Sequence, residues 1–404
     1  MASRRVATCL TILSVLGTAT LFALQPPAQA KPAPASVPAG KVTPEQLKTA
    51  VGLLGSFEFP VRMEASRTVR RAEAALAVPV LTDTATNPAA DWFVRFRALI
   101  LLSGFNDPRT SDTMLRMLQD KNDRLRAVAY AWFEHHPDPG SIPRLLAAVD
   151  KEESEFVRPA VTRSLAAYGS DPKVRETMSA LVMRGQDLFR AVVIEALGEY
   201  RGAYALQPIT EVAKLEGPLQ DDAILAIGRI GDKRGLAVLA DLQRTAPRTL
   251  QPSIAAAICL IGSNCASHEG YLLETLKFGI ANPGYQELVR ASAGGLAALA
   301  VAGRRDAAAT LFEVGAPTRD PERAAIALAL GTIALRNTTL VLQVLERPGD
   351  LQASTELLRE AFDMLEEDFD EERFFVTVRR AYWAAAAGSP ARSVAETLIQ
   401  RLEF

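Results

Sequence analysis

The sequence predicts an all-α protein built as an α-solenoid, a superhelix of stacked two-helix repeats. Apolar anchor residues recur every 30 to 32 residues, and mostly apolar residues follow each anchor at positions +4, +7, +8 and +11, which is helical spacing. No stretch alternates apolar and polar residues as a strand would. A fixed period of this length is typical of architectures in which each repeat contacts mainly its neighbours. The anchors are Val94, Leu125, Val157, Phe189, Leu219 and Leu250.

Residues 1–30 are predicted to form a signal peptide. Arg4 and Arg5 precede a long apolar stretch, and Ala28-Gln29-Ala30 offers small residues for cleavage, so that the mature chain would begin at Lys31. We therefore expect an exported protein, in the periplasm or cell envelope of a bacterium, with no membrane insertion after cleavage. Because the apolar stretch is long for a signal peptide, an uncleaved signal anchor is the alternative.

Three segments are predicted to follow. Residues 31–43 form a Pro/Ala-rich linker, residues 44–347 form the solenoid of eight or nine repeats, and residues 348–404 form a helical cap over the exposed core of the last repeat. Asp-Pro dipeptides at 107, 138 and 171 recur in register and predict helix starts, because Asp caps a first turn and Pro fits it. Past Gly262 the spacing lengthens, which predicts an inserted loop around residues 263–270.

The repeat units resemble those of a known family. Segments such as FVRPAVTRSLAAYG and LFRAVVIEALGEY, each preceded by a turn and a short helix, resemble HEAT repeats. The short period is similar to the HEAT-like variety first associated with phycobilisome lyases. The resemblance covers about residues 61–336. It implies that the second helix of each repeat lines a concave face that receives a partner, and it leaves function open among scaffolds, adaptors, lyases and a hydroxylase.

A polar residue directly follows each anchor. Two interpretations stay open: a basic ladder for an acidic partner, or arginines that pair with the adjacent repeat and hold the stack in register. The resemblance favours the structural role, and the planar guanidinium suits it because it can bridge two acceptors. The arginines are Arg95, Arg126, Arg158, Arg190 and Arg290, with Gln220 and Gln251 in the same position of two further repeats.

Cys259 and Cys265 are predicted to form a disulfide. They are the two cysteines of the mature chain, an exported protein meets oxidising conditions, and five residues separate them across a helix end and turn. The alternative is that Cys259 is a small buried residue and Cys265 carries a free thiol without a function.

No catalytic, cofactor-binding or metal-ligating residue is predicted. The three histidines, His135, His136 and His268, show no metal-ligand spacing, and the usual zinc, nucleophile-elbow and phosphate-loop motifs are missing. The iron-dependent deoxyhypusine hydroxylase, also built of HEAT-like repeats, depends on several His-Glu dipeptides, whereas only His268-Glu269 matches here. The acidic run 366–372 is expected to be a solvated turn between two terminal helices.

The predicted function is that of an exported, non-catalytic scaffold that binds a protein or peptide on its concave face, without a cofactor. With 45 basic and 47 acidic residues, the chain has a net charge of −2 and lacks the basic excess expected of a nucleic-acid-binding protein. The alternative is a lyase-like HEAT-repeat enzyme or an accessory subunit of one.

Overall fold

The computed structural model describes residues 41–365 and 367–404, so the predicted signal peptide and residues 31–40 of the predicted linker lie outside the described residues. The described residues form 22 α-helices, two single-turn 3₁₀ helices and no strand, which confirms the predicted fold class. The helices are α1 (Pro44–Leu53), α2 (Phe59–Arg71), α3 (Ala74–Thr86), α4 (Trp92–Ser103), α5 (Thr110–Met117), α6 (Asp123–His135), α7 (Ile142–Lys151), α8 (Arg158–Ala166), α9 (Pro172–Leu181), α10 (Asp187–Glu199), α11 (Leu206–Ala213), α12 (Gln220–Ile230), α13 (Gly235–Thr245), α14 (Gln251–Leu260), α15 (Cys265–Ala281), α16 (Gln286–Val301), α17 (Arg305–Gly315), α18 (Glu322–Arg336), α19 (Thr338–Leu345), α20 (Leu351–Leu365), α21 (Asp368–Ala384) and α22 (Pro390–Arg401).

Helices α1 to α18 form nine successive pairs among the described residues. The second helices, α4 to α20 by even numbers, pack directly on one another and form an inner row. The first helices of neighbouring pairs contact one another less closely and form an outer row. A stack that is tighter on one side curves toward that side, so the inner row lines the concave face of a superhelix.

Small residues allow the tight packing of the inner row. Gly198 of α10 lies against Ala226 of α12, and Gly228 of α12 lies against Ala257 of α14. A Cβ atom at Gly228 would approach the Ala257 Cα to 2.4 Å, and one at Gly198 would approach the Ala226 Cα to 2.9 Å. The two glycines are therefore required by close helix approach.

The recurring Asp-Pro dipeptides sit near helix starts in three different ways. Asp171 caps α9 and accepts hydrogen bonds from the N–H groups of Lys173 and Val174, at 2.8 and 3.1 Å. Asp138 instead caps the 3₁₀ turn Pro139–Ser141 ahead of α7. Asp107 accepts from the N–H group of Arg109 at 2.9 Å, and α5 begins only at Thr110. The dipeptide therefore marks the entry to the outer helix rather than a fixed cap position.

The region after Gly262 differs from its prediction. Residues 265–270 are not a loop: they begin α15, which extends for 17 residues to Ala281. The extra residues lengthen the outer helix of one repeat, because apolar side chains continue at helical spacing and Leu272 and Leu276 are buried.

The acidic run was also predicted wrongly. Asp368 begins α21, and the side chains of Asp370 and Glu372 are buried rather than solvated. The cause is tertiary: α21 packs on α18, α19 and α22 and also reaches α4, near the other end of the chain. The C-terminal helices thus contact the first repeats as well as the last one.

In the described part of the chain, no single helix has the length and apolar character needed to cross a membrane. Helices α18 and α19 meet that test only as a pair, and the chain bends by 116° between them.

Candidate functional site: the concave face

Helix α21 covers the N-terminal part of the concave face through ion pairs. The Arg97 guanidinium in α4 donates to the Asp368 carboxylate at 2.7 Å. Arg70 of α2 donates to both oxygens of Glu372, with Nε at 3.1 and 3.0 Å from them and Nη2 at 2.5 Å from Oε2. The side chains of Arg70 and Glu372 are only 4% and 2% exposed. These pairs join residues about 270 to 300 positions apart in sequence.

A second group of charged residues meets where the ends of α6, α10 and α18 converge on α21. Tyr200 donates a hydrogen bond to Glu134 at 2.8 Å. Nη1 of Arg336 lies 3.9 Å from Glu134 and 3.8 Å from Asp370, and Nε2 of His135 lies 3.6 Å from Asp370. Residues from four helices thus share one buried ionic cluster, which we call the central cluster.

Burial and mutual charge shift the pKa values in the central cluster. Burial raises the pKa of Glu134, against the opposing influence of His135 and Arg336. Burial also raises the pKa of Tyr200, and its bond to Glu134 acts in the same direction. Burial likewise disfavours the Asp370 carboxylate, but His135, Arg336 and Arg373 outweigh it and hold the pKa of Asp370 below its usual range. The cluster therefore keeps an ionised Asp370 in a buried position.

Part of the remaining concave face forms a cavity of about 330 Å³ beside the central cluster. It is lined by the C-terminal turns of α10, α12, α14, α16 and α18, so five successive inner helices contribute. Glu195, Glu199, Arg229 and Arg336 supply both signs of charge, and Thr332 lies among them. Such a cavity can hold one or two side chains of a bound segment through apolar contact and ion pairs.

The cavity wall contains no histidine, serine or cysteine. Throughout the described ranges, no group of three or more His, Cys, Asp or Glu side chains is placed to hold a metal ion. His135 and His136 lie at the end of α6, where the His136 ring stacks on Trp132, and His268 lies in α15. The histidines are thus spread over two separate places.

Two arginines of the predicted series contact both the backbone of their own repeat and the next repeat. Arg95 donates to the carbonyl oxygen of Ala85 at 3.0 Å and pairs with Asp120. Arg126 donates to the carbonyl oxygen of Asp120 at 2.8 Å and to both oxygens of Glu152 at 2.9 Å. Ala85 lies in the last turn of α3, where carbonyl groups lack partners within the helix, so Arg95 caps that helix. Asp120 lies in the turn between α5 and α6, and there Arg126 joins the turn to the next repeat.

The other members of the series differ from one another. Arg158 lies 3.9 Å above the ring of Phe189, the anchor of the next inner helix. Arg190 donates to the carbonyl oxygen of Val182 at 2.9 Å. Arg290 is 70% exposed and pairs with Glu287 in its own helix. The amides of Gln220 and Gln251 donate to the ends of α11 and α13, to the carbonyl oxygens of Ala213 and Ala246.

The sequence reading missed Arg323, which makes the most complete contacts of this kind. It donates to the carbonyl oxygens of Gly315, Ala316 and Thr318, at 3.1 to 3.3 Å, and to both oxygens of Glu360, at 2.7 and 2.9 Å. Glu322 occupies the position at which the other repeats carry an apolar anchor, so the anchor pattern did not identify Arg323 as a member of the series. The buried row Ile326, Leu330 and Ile333 was the available signal.

Cys259 and Cys265 lie side by side, with Cα atoms 4.2 Å apart and their sulfurs joined in the structure. Cys259 is buried near the end of α14 and Cys265 begins α15. Their oxidation state in the isolated protein stays a prediction.

The paired helices, the inner row and the concave cavity define a class of protein, the α-solenoids that stack helix pairs. Residues 118–198, which contain α6 to α9 and nearly all of α10, match the family model for HEAT repeats. The match shows HEAT repeats in that segment of the chain. No curated protein matches it in sequence.

Three solved structures show similarity at low sequence identity. The CpcE–CpcF complex of phycocyanin lyase from Nostoc is 15% identical, with a TM-score of 0.39, over 64% of this chain and 97% of the other. Kap95p bound to RanGDP is 11% identical, with a TM-score of 0.39, over 89% of this chain and 60% of the other. Human deoxyhypusine hydroxylase is 18% identical, with a TM-score of 0.29, over 66% and 98%. At these TM-scores the three structures establish neither an activity nor a partner for this chain.

Proposed function

We propose that this protein is a non-catalytic interaction scaffold whose concave cavity receives a segment of a protein partner. The observation that carries the proposal is the cavity itself, built by five successive inner helices and lined by Glu195, Glu199, Arg229 and Arg336. Charges of both signs held on successive helices favour a segment that also carries both signs. The lining contains no histidine, serine or cysteine, which favours a binding role over nucleophilic catalysis.

The test is to fill the cavity without disturbing the core. Thr332 lines the cavity and its hydroxyl bonds within its own helix to the carbonyl oxygen of Leu328 at 3.0 Å. Thr245 makes the same kind of bond to Asp241 at 3.2 Å, on the exposed end of outer helix α13. We expect Thr332→Trp to reduce the amount of captured partner by at least about tenfold, while Thr245→Trp leaves it unchanged.

Immobilised wild-type and variant proteins would be compared on the same extract by quantitative mass spectrometry. Equal capture by all three proteins would contradict a concave binding site. Consumption of a small molecule by the wild type, lost in Thr332→Trp, would instead support the lyase-like alternative.

We also propose that the protein is exported and matures at Lys31. The support is the arrangement of Arg4 and Arg5 ahead of an apolar stretch and small residues. The intact mass of the protein purified from a bacterial host would show loss of residues 1–30. A chain that retains residue 1 and needs detergent for extraction would support the signal anchor.

A further inference from the structure

Helix α21 has two chemically different sides. Toward the C-terminal repeats it is apolar: Phe374 and Val378 are buried in the same cluster as Phe362, and Phe375 stacks on Phe404 with ring centroids 4.1 Å apart. This side is a conventional helix-packing surface, since it buries aromatic and aliphatic groups together. It fixes α21 to the C-terminal half of the superhelix.

Toward the first repeats, the same helix makes mainly charged contacts. Asp368 meets Arg97, Asp370 meets His135, and Glu372 meets Arg70. The apolar contribution on this side comes from Phe369, which packs in the N-terminal cluster, and from Val376. The ring of Phe369 lies 6.1 Å from that of His135. We call this N-terminal side of α21, with its partners in α2, α4 and α6, the closing junction.

Several buried polar atoms at or beside the closing junction lack a hydrogen-bond partner among the described residues. Burial of a charged group with incomplete hydrogen bonding offsets much of the attraction in an ion pair. The closing junction is therefore held less firmly than the apolar stacking between inner helices. The atoms are Arg70 Nη1, Arg97 Nε, His135 Nε2, Arg336 Nη1 and Glu371 Oε1.

We propose that the closing junction is a reversible clasp. When it is closed, α21 covers the concave face of α4 and α6. When it opens, α21 stays packed on the C-terminal half and the superhelix becomes more extended. The concave face then becomes accessible along its whole length. Solenoids accommodate such motion because each repeat shifts only slightly against its neighbour. The inference deepens the proposed function, since the clasp sets how much of the concave face a partner can reach.

The experiment weakens the clasp and follows the exchange of backbone amides in the full mature chain. Glu372→Gln keeps the shape of the side chain but leaves Arg70 buried without its counter-charge. We expect hydrogen–deuterium exchange to rise at least about tenfold in α2 and in the last turns of α4 and α6, with no change in α12 and α14. Small-angle scattering should show a larger radius of gyration. The control is Glu356→Gln, which removes an exposed pair with Arg359 on α20.

A second variant covers the case in which Glu372→Gln fails to fold. A Cβ atom at Gly104 would lie 3.1 Å from Val376 Cγ2, across the closing junction. Gly104→Cys with Val376→Cys should form a cross-link that lowers exchange in α2, α4 and α6 below that of the wild type. Reduction of the cross-link should restore the wild-type rates.

Two results would overturn the clasp. One is equal exchange and equal radius of gyration in the wild type, in Glu372→Gln and in the cross-linked variant. The other is a rise in exchange in all helices together, which would make α21 an inseparable part of one core. Neither readout involves a partner. The clasp proposal can therefore be contradicted while the Thr332→Trp capture experiment supports the proposed function, and the proposed function can be contradicted while the exchange data support the clasp.

Discussion

At the scale of single residues, this structure depends on arginines that each serve two acceptors. Arg126 donates to a carbonyl group in the turn after α5, and Arg323 donates to a carbonyl group at the end of α17. Each also binds a carboxylate of the next repeat. The sequence predicted the series but missed Arg323, and it did not show that the members make different contacts. Periodicity indicates which position a residue occupies in a repeat and not which groups lie beside it. Arg290 occupies the predicted position and yet faces solvent.

Substitution of Arg126 separates the structural role from a binding role. Arg126→Lys loses the paired bonds to Glu152 and should lower the free energy of unfolding by about 1–2 kcal/mol. Arg290→Lys should change it by less than about 0.5 kcal/mol, since its pair is exposed. Urea denaturation followed by circular dichroism measures both. Equal effects would favour the basic-ladder interpretation.

Glu371 predicts a specific pH dependence. Burial raises its pKa to about 8, with Asp368 acting in the same direction and Arg97 against it. An acid whose pKa is raised in the folded state binds more protons there, so its contribution is present below its ordinary pKa of 4.5 and is lost as pH rises toward 8.

The wild type should therefore lose stability between pH 5 and pH 9 relative to Glu371→Gln, by about 1–2 kcal/mol after allowance for partial solvent access. Urea midpoints at several pH values measure the difference. The exposed control Glu274→Gln should follow the wild type. Parallel curves for wild type and Glu371→Gln would show that the carboxyl group is not held neutral.

At the scale of helices, periodicity was a sufficient guide wherever a repeat contacts only its neighbours. It located α4, α6, α8 and α10 because their buried faces recur at helical spacing. It failed at α21, where DFDEERFF combines acidic residues that would ordinarily face solvent with aromatic residues that belong in a core. Their burial depends on Arg70, Arg97 and Arg336, which are distant in sequence.

Close packing of the inner row makes Gly228 sensitive to the smallest change. Gly228→Ala would place its Cβ 2.4 Å from the Ala257 Cα, and the overpacking should cost about 1–3 kcal/mol. Gly270→Ala, in an exposed part of α15 with no atom within 4 Å of the new Cβ, should instead be neutral or stabilise by up to about 1 kcal/mol. Thermal unfolding distinguishes the two, and a neutral Gly228→Ala would contradict the packing described for the inner row.

The connection between α14 and α15 is expected to be covalent in an exported protein. Titration of the denatured mature chain with a thiol reagent should find no free thiol before reduction and two after it. The disulfide would stabilise the protein by about 2 kcal/mol in the chain-entropy model. Two thiols without reduction would rule it out and would weaken the case for export.

At the scale of the whole molecule, one part of the concave face is covered by a helix of the same chain and another part forms an open cavity. Helix α21 covers α4 and α6, while the inner helices α10, α12, α14, α16 and α18 line the cavity, and Arg336 belongs to both regions. The sequence predicted a concave face and a partner for it, but it could not show this division, which depends on contacts between the two ends of the chain. The cavity is therefore the part of the face that a partner can reach when α21 is in place.

The most direct test of the concave face as the functional surface is photo-cross-linking from inside the cavity. A photoreactive amino acid at Thr332, and in a second protein at Thr245, would be activated in the native cell-envelope fraction. A discrete cross-linked partner from position 332, absent from position 245 and competed by unmodified wild type, is the result expected here. Identical cross-linking from both positions, or none from position 332 while the unmodified protein still captures a partner, would contradict it.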